Sequence, residues 1–298
     1  MRSGRERVDG MGVYLNSRKP YLLYQEERSS LYFVDKTEIL KELVPLVEPE
    51  ENMPVPQGEH SGKGYKYICI TRPRRFGKTV MANMIAAYFG KGTDSSGIFA
   101  GLKVSSYEWY EKHRNTHNVI HIMCNEMPRN CKSYEQYMER IERRMIQDLM
   151  QAYPEVPIDT KDALWDVFNN VIEFGNGEKF IFILDEWDFI YHQDFASLED
   201  KASFTKFLSI LLKDQPYVEM VYMTGILPIA KYSSGSELNM FTEFTMANSP
   251  AFSDCFGFRE DEVAKLYERY LKNCENPSVT KQGLKEWYNG YYTAGGQR

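Results

Sequence analysis

The stretch from Tyr67 to Val80 constrains this chain more than any other part of it. A short apolar run, Tyr67 to Thr71, stops at a basic loop, and the loop closes on Gly77-Lys78-Thr79. Beyond it, Val80 to Phe89 carries apolar residues at helical spacing. Strand, loop, Gly-Lys-Thr and helix, in that order, are the context that a phosphate-binding P-loop requires. Gly77 lets the backbone approach a phosphate, Lys78 can reach the β- and γ-phosphates, and the Thr79 hydroxyl can sit on Mg²⁺. The helix N-terminus adds free N–H groups and a positive dipole end. The full pattern Gly-x-x-x-x-Gly-Lys-Ser/Thr is incomplete, because Arg72 stands at the first glycine and Pro73 after it has no N–H to donate. The cradle is therefore expected from Arg74, Arg75, Phe76, Gly77, Lys78, Thr79 and Val80. The sequence predicts binding of a nucleoside triphosphate; a basic surface loop before a helix is the competing reading of the loop alone.

A second element narrows that choice. Phe180 to Leu184 is a continuous apolar run, preceded by Gly175-Asn176-Gly177, and reads as a strand buried on both faces. It ends in Asp185-Glu186-Trp187-Asp188. Carboxylates at the carboxyl end of a central parallel strand lie in the crevice where α/β sheets bind ligands. Asp185 is placed to hold Mg²⁺ and Glu186 to polarise an attacking water. Asn118 to Met123 and Tyr217 to Met223 read as further strands. Ser133 and Gln136 give a capping-box signal for a helix with Tyr137, Ile141, Met145 and Leu149 on one face. A shorter helix holds Leu164, Val167, Phe168 and Val171. Strands alternating with helices argue a mostly parallel sheet sandwiched by helices. Thr224 ends the strand after the acidic one, where it either touches the γ-phosphate or attacking water, as a catalytic group, or caps the turn.

Five motifs occur in order: Phe33-Val34-Asp35-Lys36-Thr37, Arg72 to Thr79, Leu184 to Asp188, Thr224-Gly225-Ile226, and Trp287-Tyr288-Asn289-Gly290-Tyr291. Together they resemble the bacterial AAA-ATPase-like family, P-loop ATPases with an extra catalytic Glu. The resemblance runs over about residues 30 to 292, and Arg-Pro-Arg-Arg-Phe-Gly-Lys-Thr is its most specific part. It implies that Arg72 is a family trait, that Phe33 to Lys36 packs near the nucleotide base, and that a helical lid begins after residue 253. Longer relatives often continue into a PD-(D/E)xK nuclease-like domain. That domain is not expected in this chain, because no Pro-Asp followed by Asp/Glu-x-Lys is found in it.

Composition agrees with a folded α/β protein: 298 residues, 43% hydrophobic and 14% aromatic, ample for one large core. No apolar run approaches the roughly 18 residues that span a bilayer. The amino terminus lacks a signal-peptide core, and five scattered cysteines without Cys-x-x-Cys pairing fit a reducing cytoplasm. A net charge of −6 gives no general case for direct nucleic-acid contact; Arg72, Arg74 and Arg75 are accounted for by phosphates, and Arg140, Arg143 and Arg144 by a solvated helix face. His113, His117 and His121 are spaced four apart, but strand and turn signals separate them, so no zinc site is expected. Near the carboxyl end, one helix carries Val263, Leu266, Tyr267 and Tyr270, and a second runs from Val279 to Tyr288. Arg259 or Arg269 either reaches a phosphate there or is a surface charge. The expected organisation is an ATPase core over 1–253, with a flexible insertion at 48–64, and a helical lid or start of a further domain over 254–298. The expected activity is Mg²⁺-dependent ATP hydrolysis coupled to an unknown protein partner or to self-association. An ATP-operated binding switch with negligible turnover is the alternative.

Overall fold

The computed structural model describes residues 11–47, 66–232, 237–246 and 252–288. The insertion expected at 48–64 and the Asn289 to Tyr291 part of the last motif lie outside the described residues. The elements in chain order are α1 (Arg18–Arg28), α2 (Leu40–Val47), β1 (Tyr67–Thr71), α3 (Lys78–Phe89), and the single turns α4 (Ser96–Phe99) and α5 (Tyr110–His113). There follow β2 (Asn118–Met123), α6 (Tyr134–Ala152), α7 (Leu164–Phe174), β3 (Phe180–Asp185), α8 (Leu198–Leu212) and β4 (Val218–Gly225). The chain continues through β5 (Thr242–Phe244), α9 (Glu260–Asn273) and α10 (Lys281–Tyr288).

The five strands form one parallel sheet in the order β2-β3-β4-β1-β5. The period-2 alternation of a strand explains how apolar runs such as Phe180–Asp185 serve two cores at once. Phe180, Phe182 and Leu184 face a cluster with α6, α7 and α8, while Ile181 and Ile183 face one with α1, α2 and α3. A β-bulge between Phe180 and Ile181 pairs them with Val218 and Met220, leaving Glu219 as the extra residue. The Glu219 carboxylate meets His117, which in turn lies 3.2 Å from His113.

Ser133 caps α6 by accepting from the Gln136 N–H, but Gln136 reaches the N–H of Lys132, one residue short of a reciprocal box. The predicted face of α6 (Tyr137, Ile141, Met145, Leu149) and that of α7 are buried. Sequence patterning did not reveal α1, β5 or the strap at residues 14–16. The strap runs antiparallel to β2 through Leu15 and Ile120, with the Asp148 carboxylate accepting the N–H groups of Tyr14 (2.6 Å) and Leu15 (3.1 Å). At the other end, Phe252 and Phe256 are buried in the α3-side cluster, and α9 and α10 follow. Trp287 of α10, the first residue of the last motif, is 85% exposed.

Candidate functional site

All five strands run in parallel, so β1, β3 and β4 deliver their carboxyl ends to one edge, and the sequence-predicted residues sit there. The loop after β1 turns through left-handed backbone at Arg75 (φ 70°) and at Gly77 (φ 79°), which caps α3. The first turn of α3, at Lys78, Thr79 and Val80, has N–H groups with no acceptor inside the helix. A Cβ placed on Gly77 would meet nothing within 4 Å, so the backbone lies open there. Arg74 and Arg75 are exposed, and Phe76 and Thr79 are half-buried.

Lys78 is buried, and its ammonium donates to the carbonyls of Arg72 (2.8 Å) and Pro73 (2.9 Å). Burial lowers its pKa; Asp185, Glu186 and Asp188 oppose that shift, in that order. The phosphate-loop lysine and the carboxylates at the end of β3 therefore share one electrostatic neighbourhood, although 107 residues separate Lys78 from Asp185 in the chain.

Asp185 is 1% exposed. Its Oδ1 accepts from the Thr224 hydroxyl at 2.5 Å, and its Oδ2 has no hydrogen-bond partner among the described residues. A buried carboxylate oxygen left this way is costly unless a cation or donor meets it. An oxygen ligand of this type suits a hard divalent cation such as Mg²⁺. Glu186 is held in left-handed backbone (φ 54°, ψ 46°), and its N–H donates to the Thr224 hydroxyl at 3.2 Å. Thr224, fully buried at the end of β4, thus holds the turn into Glu186 while donating to Asp185.

Several contacts around this edge escaped the sequence reading. Arg72 is buried, donates to the carbonyls of Thr71 (2.9 Å) and Phe244 (2.6 Å), and stacks over Phe256 at 5.2 Å. Its side chain is committed to those partners, which corrects its assignment to the phosphate-facing basic cluster. The Phe76 carbonyl accepts from the Gly257 N–H at 3.2 Å, joining the loop to the segment before α9. Lys36 pairs with Glu262 of α9 and donates to the Asp254 carbonyl, each at 2.7 Å. Asp35 accepts from the Thr37 and Lys103 N–H groups. The Phe33 to Lys36 segment thereby joins the amino-terminal helices to α9. Arg259 pairs with Asp261, and Arg269 donates to the carbonyls of Leu31 and Phe33. Asp261 engages the Arg259 guanidinium, and Arg269 is a tie to the amino-terminal segment rather than a bare surface charge.

The sequence model of the AAA-ATPase-like family, described as predicted AAA-ATPase, matches residues 60–234. The match takes in the phosphate loop, the carboxylates and Thr224, and covers more than half of the chain. The chain belongs to the AAA-ATPase-like family. This AAA-ATPase-like chain is 22% identical over 275 residues to an uncharacterized protein in the vnfD 5′ region of Azotobacter chroococcum mcd 1, covering 90% of this chain and 46% of that one. It thus spans less than half the length of that curated relative. Among solved structures it is similar to the Aeropyrum pernix ORC2 protein in ADPNP–ADP complexes, at TM-score 0.34 and 11% identity over 76% of this chain and 55% of that one. It is also similar to Drosophila ORC bound to AT-rich DNA and Cdc6, at TM-score 0.36 and 9% identity over 91% and 71%. Likeness at those scores adds nothing about what this AAA-ATPase-like chain binds. Its five-stranded parallel sheet with the Gly77-Lys78-Thr79 loop between β1 and α3 is that of a P-loop ATPase. Among the described residues, no helix is long and apolar enough to cross a membrane.

Proposed function

We propose that this chain binds ATP with Mg²⁺ and hydrolyses the β–γ bond. The observation that carries the reading is Asp185: a buried carboxylate with one oxygen held by Thr224 and the other unpartnered, in the electrostatic neighbourhood of Lys78. Thr79 and Asp185 would hold the cation, with phosphate oxygens and water completing the shell that Mg²⁺ prefers. A cation held there would supply positive charge that offsets the negative charge developing on the phosphates.

The remaining work belongs to the chain itself. Lys78 exchanges the Arg72 and Pro73 carbonyls for phosphate oxygens, a stronger, charge-assisted set of acceptors. N–H groups from Arg74 to Val80, including Arg75, Phe76 and Gly77, take the remaining phosphate oxygens. Glu186 orients the attacking water, and its left-handed backbone, fixed by the Thr224 hydroxyl, sets where its carboxylate stands. Thr224 keeps Asp185 and Glu186 in register.

The test is a pulse of labelled ATP. Glu186→Gln keeps size and hydrogen bonding but cannot polarise water, so ATP should bind and remain uncleaved while the parent converts it to ADP. The loss in turnover should be about 10²–10⁴-fold, the usual contribution of such a group. Equal turnover in the two proteins would make Glu186 a turn residue only. A second reading, an ATP-operated switch with negligible turnover, has one observation in its favour: the Gly257–Phe76 bond ties the phosphate loop to the segment leading into α9. It is chosen if the parent binds ATP and releases no ADP with any added protein partner.

A further inference from the structure

The last acidic residue of Asp185-Glu186-Trp187-Asp188 has no part in the chemistry above, yet it is as buried as Asp185, at 1% exposure. Its Oδ2 accepts the N–H of Ile226 at 2.8 Å and the hydroxyl of Tyr232 at 3.1 Å. Both donors belong to the segment after β4, 38 and 44 residues along the chain. Tyr232 lies 3.0 Å from His192 Nε2, at the far end of the turn Trp187–His192 that contains Asp188. Two crossings therefore join the exit of β3 to the exit of β4. Thr224 with Asp185 and Glu186 makes the inner one, and Asp188 with Ile226 and Tyr232 the outer.

The packing between them leaves little slack. Trp187 is fully buried against Gly225, where a Cβ would come within 2.6 Å of its indole nitrogen. The same segment is held from its other side by Glu243 of β5, which accepts the Ile229 N–H at 2.7 Å. A fully buried carboxylate spending its oxygen on one backbone N–H and one phenol is an expensive way to hold a loop. An apolar contact would serve if only stability were at stake.

We propose that Asp188 is a positioning residue, fixing the segment after β4 so that Thr224 and Glu186 stand in register at the nucleotide. The proposal rests on the ATPase reading above. Misplacement of a catalytic group by about 1 Å typically costs 10²-fold in rate, whereas nucleotide binding depends on the loop and Lys78. The expected signature is thus a fall in kcat with little change in affinity.

The experiment compares the parent with Asp188→Ala, Asp188→Asn and Tyr232→Phe by calorimetry with a non-hydrolysable ATP analogue, turnover, and deuterium exchange of the 226–232 segment. Asp188→Ala should lose about 10–100-fold in turnover while its affinity stays within about twofold. Asn keeps an acceptor oxygen and should recover part of that loss. Tyr232→Phe, which removes one donor and no core volume, should lose a few-fold and guards against a misfolded Asp188→Ala. Unchanged turnover in Asp188→Ala and Tyr232→Phe overturns the proposal. If the parent binds the analogue but never cleaves ATP, hydrolysis is lost and exchange decides the rest. The analogue should protect the 226–232 segment in the parent and not in Asp188→Ala, and equal protection overturns the coupling. A parent that binds no nucleotide overturns both readings.

Discussion

Gly77 and Gly257 share a left-handed backbone but differ in what surrounds them. At Gly77 (φ 79°) an added Cβ meets nothing within 4 Å, while at Gly257 (φ 68°) it comes to 3.2 Å from the Phe76 ring. Left-handed backbone costs an ordinary residue about 1–2 kcal/mol. Gly77→Ala should therefore lose about that much stability, and lose ATP affinity as well because the methyl enters the space the loop keeps open. Gly257→Ala should lose more stability, since Phe76 must also give way. Urea unfolding ranks the two on stability and calorimetry on affinity; Gly77→Ala binding ATP as the parent does would move the phosphate elsewhere. That Gly77, Lys78, Thr79, Asp185 and Glu186 come to one edge of the sheet was legible, because the strand-loop-helix and strand-carboxylate patterns fix where such residues fall. Arg72 and Asp188 were not. Their roles depend on Phe244, Phe256, Ile226 and Tyr232, partners that only folding brings near.

The strands β1 to β4 were legible as elements because each is an apolar run long enough to fill a buried strand. The three-residue β5, Thr242-Glu243-Phe244, carries too little pattern to read, and α1 buries only Pro20 and Tyr24 while Leu22 of the same short run stays exposed. Within β2, His121 runs against the element's apolar character: it is buried, and its Nε2 has no partner among the described residues. Burial, and then the Lys19 charge, pushes its pKa down to about 4 from an ordinary 6.5. The sign follows directly. As pH falls through about 6.5, the unfolded chain takes up a proton that the fold refuses until about 4. Stability is therefore lost across that window, by about 3 kcal/mol when the whole interval is crossed. His121→Gln should flatten this part of the dependence, so the drop in unfolding free energy between pH 7 and pH 4.5 should be smaller than in the parent. Identical drops would mean that His121 protonates freely in the fold.

At the scale of the whole molecule, the order β2-β3-β4-β1-β5 decides how the site is assembled. Inserting β4 between β1 and β3 keeps the phosphate loop and the carboxylates from being immediate neighbours. Thr224, at the end of β4, stands in the gap. The same order leaves β2 and β5 as the outer strands, and open strand edges recruit other chains. Short length blunts β5. The strap blunts β2: the His121 N–H donates to the Tyr14 carbonyl at 3.0 Å and the Asn16 N–H to the Val119 carbonyl at 2.8 Å, with Asp148 pinning the strap from α6. That small attachment covers part of an edge that could otherwise pair with another chain. Asp148→Ala should loosen it, and light scattering at rising protein concentration should then report larger assemblies than the parent forms, growing through the bared flank of β2; equal scattering would mean that the strap does not guard that edge.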